Sequence, residues 1–135
     1  MTLNESEREE LVNHRIERAV LIIEEIQSHI DNGHLHTAIN RIYYGMFYIL
    51  SALALKKGFV TSKHQQLIGW FNKEFVKTKI VDKKLSEIIL SAFDMRSHGD
   101  YDDYVEFSPD AVTAMFQDMK NFVSQIITII HSPAK

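Results

Sequence analysis

Apolar residues recur at helical spacing along the chain, and polar residues fill the positions between them. The first such stretch runs from about Glu5 to Asp31. Its apolar seam is formed by Val12, Ile16, Ala19, Ile23, Ile26 and Ile30. The second runs from about Leu35 to Lys57. Its seam is formed by Leu35, Ile39, Ile42, Met46, Leu50 and Leu53. No stretch alternates with period two over a useful length, so the pattern predicts an all-α chain.

Start and stop signals divide the rest of the chain into three further helices. Thr61 and Ser62 are N-cap candidates for a third helix, with Gln65 or Gln66 as a capping-box partner. Its apolar face would consist of Leu67, Ile68, Phe71 and Phe75, with Trp70 beside it. We therefore expect a short amphipathic helix after the second long one.

The fourth and fifth helices have clearer boundaries. Asp82 is placed to cap a helix from about Lys83 to His98, and Gly99 offers a left-handed stop. Ser108-Pro109 combines a serine cap with proline at the first helical position, and the following apolar pattern continues to about His131.

The connections predict how these helices pack. Asn32-Gly33 is a very short turn, so the first two helices should form an antiparallel hairpin. No linker or internal repeat is visible. We expect residues 1–135 to form a single domain, an antiparallel up-and-down bundle of four long helices and one shorter helix.

Composition narrows the class of protein. The 135 residues include no cysteine, so neither disulfides nor thiolate metal sites are expected. The net charge of −3 argues against a broad, non-specific nucleic-acid surface but allows a local basic pocket. The acidic start does not resemble a secretory signal, and no uncharged apolar run is long enough to span a membrane. We expect a cytoplasmic protein without membrane attachment.

An arginine interrupts the apolar stripe of the fourth helix. The stripe consists of Leu85, Ile88, Ile89, Ala92 and Phe93. Arg96 occupies its next position, where a guanidinium must be paired to be buried without a large cost. His98, Asp100, Tyr101 and Tyr104 follow closely. These residues form either a functional site or a structural ion-pair network that ties the helix end to nearby aspartates.

The second helix carries a polar face beside its apolar seam. Asn40, Tyr44 and Tyr48 are spaced by four, and Arg41 lies three before Tyr44. The tyrosines could line a wet cleft or form a packing layer between subunits. Gly45, in mid-helix, suggests the close approach of another backbone or ring.

One further cluster could bind an anion, and the spacing of histidines bears on metal binding. Ser62-Lys63-His64 stands at a helix start, where it could hold a phosphate or simply be solvated. The glutamate-to-histidine spacing of di-iron bundles is absent, so we expect no metal and no cofactor.

Three blocks in this order resemble the small stand-alone HEPN domain proteins of prokaryotes. They are Ala38 to Phe47, Ser62 to His64, and Ala92 to Tyr101. The resemblance covers roughly residues 35 to 125. It implies a helical bundle that commonly dimerises, and a role with RNA or nucleotides beside a minimal nucleotidyltransferase in toxin–antitoxin or defence modules.

Many HEPN proteins are metal-independent ribonucleases whose histidine lies four to six positions beyond an arginine. This chain departs from that pattern, because His98 follows Arg96 by only two. The resemblance makes Arg96 and His98 the catalytic candidates. Its binding candidates are Asn40, Arg41, Tyr44, His64, Asp100 and Tyr101. In some HEPN toxins a nearby tyrosine is adenylylated, which makes Tyr101 and Tyr104 candidates for modification.

Two other interpretations stay open at this point. The chain could be a non-catalytic dimerisation or interaction module that binds a protein partner such as a nucleotidyltransferase. It could also be a metal-dependent bundle enzyme, although the ligand spacing disfavours this.

Overall fold

The computed structural model describes residues 3–101 and 106–132, with residues 99–101 described by their backbone alone. It confirms an all-α helical bundle, and the described part contains no strand. The helices are α1 Glu5–Asp31, α2 Leu35–Lys56, α3 His64–Phe71, α4 Lys83–Tyr101 and α5 Pro109–Ile130. A π-helical turn, Asn72–Val76, continues α3.

Local hydrogen bonds explain where the helices begin and end. The Asn4 side chain accepts a hydrogen bond from the Glu7 amide at 2.8 Å, and the Glu7 carboxylate accepts one from the Asn4 amide at 3.1 Å. After α1, Gly33 adopts a φ of +75°, which a side chain would disfavour. At the start of α5, the Ser108 hydroxyl accepts a hydrogen bond from the Ala111 amide at 3.1 Å, as the sequence predicted.

The α2 helix is the core of the bundle. It packs against α1, α5, α4 and α3, and twelve of its 22 residues are buried. By length and composition alone α2 could cross a membrane, a weak signal that core helices also give. Of its most apolar 18-residue window, 67% is buried inside the bundle.

The helices α1, α2 and α5 pack closely around Gly45. A Cβ atom at this position would overlap the Cε methyl of Met119 on α5 and lie 3.4 Å from Cγ2 of Ile22 on α1. The predicted close approach is therefore made by two side chains, and neither a backbone nor a ring is involved. Ile22 is buried here, whereas Ile16 and Ile23, which were placed on the seam, are only half-buried. The seam of α1 turns toward Ile22 because Gly45 leaves room for it.

The start of α3 differs from the prediction. The helix begins at His64, with Lys63 at the N-cap position and no side-chain cap. The Thr61 hydroxyl instead accepts a hydrogen bond from the Lys63 amide at 3.1 Å and donates one to the Gln66 side chain at 2.7 Å. Thr61 thus orders the turn before the helix, which moves the first helical residue to His64.

The predicted stop at Gly99 is wrong. The backbone of α4 continues through Gly99 to Tyr101. A glycine inside a helix costs only about 1 kcal/mol relative to alanine, so it does not end a helix unless a left-handed turn follows. His98 therefore remains on the helix, about 200° around the axis from Arg96.

Candidate functional site

Arg96 joins α4 to the aromatic face of α2. Its Nη2 donates a hydrogen bond to the Tyr44 hydroxyl at 3.1 Å. Its guanidinium carbon lies 5.1 Å from the centre of the Tyr44 ring and 5.5 Å from that of Tyr43. Both distances allow a cation–π attraction. Tyrosine rings thus accommodate the half-buried arginine on an otherwise apolar stripe.

Tyr43 connects this arginine to His64. Its hydroxyl oxygen lies 2.7 Å from Nδ1 of His64, and its ring is fully buried. Burial raises the pKa of Tyr43, although the nearby Arg96 charge opposes the shift. The hydroxyl therefore keeps its proton, and it forms a hydrogen bond with Nδ1 of the neutral His64 ring.

The His64 ring is held between α2 and the start of α3. It stacks on Phe47 with 4.0 Å between the ring centres and an interplanar angle of 18°. It also stacks on Tyr43 at 5.5 Å. Burial lowers the pKa of His64, and the Arg96 charge lowers it further. At neutral pH His64 is therefore an uncharged imidazole beside a permanent cation.

We call the group formed by Tyr43, Tyr44, Phe47, His64 and Arg96 the Arg96 site. It brings together three of the residues that the sequence singled out, namely Arg96, Tyr44 and His64. A guanidinium and an imidazole N–H are both hydrogen-bond donors, and one carries a fixed positive charge. Such a pair can bind an anion, and a phosphate fits the planar fork of the arginine.

Arg41 does not join the Arg96 site. Its Nε donates a hydrogen bond to Oε1 of Glu25 on α1 at 2.7 Å. Asn40 is half-buried one turn before Tyr44, and its predicted role stays a prediction. The side chains of Asp100 and Tyr101, and all of Tyr104, lie outside the described part of the structure.

His98 lies on a different side of α4 from the buried stripe. It is exposed, whereas Arg96 is half-buried, as two positions along a continuous helix require. Within one chain, His98 is therefore poorly placed to act on a group bound by Arg96. His64 occupies the position beside Arg96 that the sequence assigned to His98.

Tyr43 and Phe47 belong to the site, although neither is among the binding residues that the sequence predicts. Both lie next to the apolar seam of α2, where an aromatic ring is most simply explained by packing. The available signal was the spacing of four between Tyr43 and Phe47, which places two rings on one helical face. Tyr48 has a separate partner, because Arg18 of α1 donates a hydrogen bond to its hydroxyl at 3.3 Å.

Histidine and acidic side chains are scattered among residues 3–98 and 106–132. In that part of the chain no three histidine or acidic side chains lie close enough together to hold an ion. His29 and Glu25 on α1 form a close histidine–carboxylate pair, with a nitrogen and an oxygen 4.0 Å apart. That contact is an ordinary pair spaced by four on a helix.

The burial of His64 predicts a pH dependence of stability. Because its folded-state pKa lies below the ordinary value of 6.5, the unfolded chain binds more protons as the pH falls below about 6.5. This contribution to stability is present above that pH and is lost on acidification toward the lower folded-state pKa. Urea unfolding between about pH 7 and pH 5 should show a steeper loss of the free energy of unfolding for the wild type than for His64→Gln.

The control is His14→Gln, at an exposed position, for which the free energy of unfolding should fall with pH as steeply as in the wild type. Equal slopes for all three proteins would contradict the assignment.

Comparison with known proteins gives one consistent relationship. The HEPN domain profile matches residues 12–129. A UPF0332 protein of Thermotoga maritima is 37% identical over 125 residues, which cover 93% of this chain and 95% of that protein. A Methanocaldococcus jannaschii protein named "Putative toxin" is 36% identical over 95 residues, 70% of this chain and 65% of its own. A UPF0332 protein of Pyrococcus horikoshii is 34% identical over 76 residues, about half of each chain (53% and 54%).

Proposed function

Because the chain belongs to the HEPN family, we propose that it is an RNA-binding protein of a toxin-type module, and that its Arg96 site holds a phosphate group. The observation that carries this proposal is the placement of the Arg96 guanidinium over two tyrosine rings, beside an uncharged histidine. A nucleotide phosphate is the biological anion that this family relationship favours.

The aromatic setting also suits the rest of a nucleotide. Tyr44 is half-buried and lies under the guanidinium, so an exposed part of its ring remains beside the bound phosphate. Aromatic side chains that border a phosphate site commonly stack on unpaired bases. The proposal therefore concerns single-stranded RNA rather than a duplex.

We further propose that the protein cleaves RNA without a metal ion, as a homodimer. A base must take the proton of a ribose 2′-hydroxyl, whose oxygen then attacks the phosphorus and expels the 5′-oxygen. That oxygen takes a proton from water, which leaves a 2′,3′-cyclic phosphate and a 5′-hydroxyl. Arg96 would stabilise the charge that develops on the phosphate oxygens.

His64 already uses Nδ1 in its hydrogen bond with the Tyr43 hydroxyl, so this nitrogen is not available as the base. His98 is exposed on the other side of α4, so we assign the base to His98 of a second copy of the chain. This arrangement explains how activity could survive a spacing of two between Arg96 and His98. It makes the dimer a requirement for cleavage.

A partner nucleotidyltransferase is part of the same proposal. Tyr101 and Tyr104 would be its targets for adenylylation, and Asp100 would orient Arg96 by a charge-assisted hydrogen bond. Mass spectrometry after incubation with a transferase and ATP would detect the modification. If both tyrosines stayed unmodified with a transferase encoded beside this chain, this part of the proposal would be wrong.

The main test compares Arg96→Ala with the wild type in EDTA, by fluorescence anisotropy for RNA binding and by gel for cleavage. We expect binding to weaken by about tenfold to a hundredfold, since a hydrogen bond to a charged group contributes about 1.5–3 kcal/mol. Cleavage should be lost.

Arg18→Ala is the matched control. Arg18 lies 5.1 Å over the Tyr48 ring and bonds its hydroxyl, so it makes the same kind of contact, but on α1. It should bind RNA as the wild type does. If both arginine variants bound and cut RNA as the wild type does, with folds intact by circular dichroism, the Arg96 site would not be the RNA site. If the wild type itself neither bound nor cut RNA, the interaction-module interpretation would be preferred.

A further inference from the structure

Charge is unevenly distributed along the chain. Residues 56–84 contain eight of the ten lysines and only two acidic residues, a formal net charge of +6. The remaining residues therefore carry −9, so the overall charge of −3 hides a strongly basic segment. We call these eight lysines the lysine face: Lys56, Lys57, Lys63, Lys73, Lys77, Lys79, Lys83 and Lys84.

The structure gathers this segment around the C-terminal half of α2, with His64 against Phe47 and Trp70 against Phe59. It comprises the end of α2, all of α3, the π-helical turn and the start of α4. All eight lysine side chains are exposed. Lys57 and Lys73 line one open groove of ≈ 710 Å³, and Lys77, Lys79 and Lys83 line a second of ≈ 630 Å³.

An aromatic pair forms part of the first groove. Phe59 and Trp70 stack with their ring centres 5.3 Å apart and their planes within 8°. Both are half-buried, and the neighbouring Gly69 has open space where a side chain would be. A flat ring beside an unobstructed backbone is accessible to another planar group. Proteins commonly bind single-stranded nucleic acids through lysines that surround an exposed aromatic ring.

We propose that the lysine face binds the phosphate backbone of single-stranded RNA, with one base stacking at the Phe59–Trp70 pair. This inference rests on the proposed function and extends it, because it assigns a surface that holds the strand on one side of the Arg96 site. The face would supply affinity without reading sequence, since lysine contacts to phosphates carry no base information.

Two observations favour RNA over an acidic protein segment. The first is the aromatic pair, which offers a stacking surface that glutamate and aspartate cannot use. The second is continuity, because α3 begins with His64 in the Arg96 site and carries Trp70 in the groove. Six residues of helix separate them by about 9 Å along the axis, a distance that one or two nucleotides can span.

The test measures binding of a labelled single-stranded RNA of about 12 nucleotides, in EDTA and over a range of salt concentrations. The variant Lys73→Gln, Lys77→Gln, Lys79→Gln removes three charges from the face. The salt slope is the change in the logarithm of the RNA binding constant with the logarithm of the salt concentration. Because each phosphate contact on a single strand contributes about 0.7 to its magnitude, this slope should fall by about 2 in the variant. Affinity at about 50 mM salt should fall at least tenfold.

A matched control changes the net charge equally on other surfaces. Gln117→Glu, Asn121→Asp and Ser124→Glu are all at exposed positions on α5, and none of them lines either lysine groove. This triple variant should keep the wild-type salt slope. Trp70→Leu should weaken binding at least fivefold without changing the slope, because it removes stacking and no charge.

The outcomes separate this inference from the proposed function. If the lysine variant bound RNA more weakly and with a smaller salt slope, and Arg96→Ala no longer cleaved RNA, the lysine face and the proposed function would both be supported. If Arg96→Ala lost cleavage while the lysine variant bound RNA like the charge-matched control, the lysine face would be wrong and the proposed function would stand. If poly-glutamate of equal charge competed as well as unlabelled RNA, the face would be a site for acidic protein and the inference would be overturned.

Discussion

Replacing Tyr43 by alanine is expected to lower the free energy of unfolding by about 3–5 kcal/mol, the range for a large aromatic side chain removed from a core. Tyr43 is fully buried and contacts the rings of Tyr44, Phe47 and His64 on one side and Phe93 of α4 on another. Its removal would leave a cavity between α2, α3 and α4. Urea denaturation followed by circular dichroism measures the change.

Tyr43→Phe separates the ring from the hydroxyl. It keeps the packing but removes the hydroxyl that is hydrogen-bonded to Nδ1 of His64, so it should cost only about 1–2 kcal/mol. If Tyr43→Ala cost less than about 1 kcal/mol, the rings around it could not be closely packed.

Replacing Gly45 by leucine is expected to cost about 3 kcal/mol or more, and to leave a poorly folded chain. Even a Cβ at this position would overlap the end of Met119, so three further carbons have no space between α1, α2 and α5. Insertions into a closely packed core typically cost about 1–3 kcal/mol, and here the surrounding residues are buried on all sides. Thermal and urea unfolding would both report the change.

Gly45→Ala is the corresponding control. The overlapping atom is the terminal methyl of Met119, which can move by rotating the side chain, and Ile22 is at an ordinary contact distance. The strain is opposed by the helix propensity of alanine, about 1 kcal/mol better than glycine. The net change should lie within about 1 kcal/mol of zero. If leucine were tolerated equally well, the helices could not be as close as the structure shows.

Periodicity was sufficient to predict the fold. The bounds of α1 agree with the predicted ones, and α2 and α5 end within one residue of theirs, because a single apolar stripe defines each helix. Side-chain caps at Asn4 and Ser108 also fix the starts of α1 and α5. The exceptions have local causes. Gly99 was taken as a stop because it is a glycine near a polar run, but only the three-dimensional course of the next turn decides whether a glycine ends a helix.

The candidate site was predictable in part. Arg96 stood out because a charge on an apolar stripe needs a partner, and Tyr44 was the matching polar group on α2. The partnership of Tyr43 with His64 was not predictable, because 21 residues and a change of helix separate them. Arg41 was predicted to lie in the site, but the structure places its guanidinium elsewhere. Its spacing pointed toward Tyr44, but an arginine side chain is long enough to reach Glu25 on α1 instead.

The single tryptophan of the chain is Trp70. Its indole stacks on Phe59 at the edge of the lysine face and is only half-buried. Fluorescence excited at the long-wavelength edge of the protein's absorption band therefore comes from Trp70 alone, since tyrosine and phenylalanine do not absorb there. The chain thus carries its own reporter, and quenching or a shift of its emission would reveal what approaches the lysine face without any attached dye.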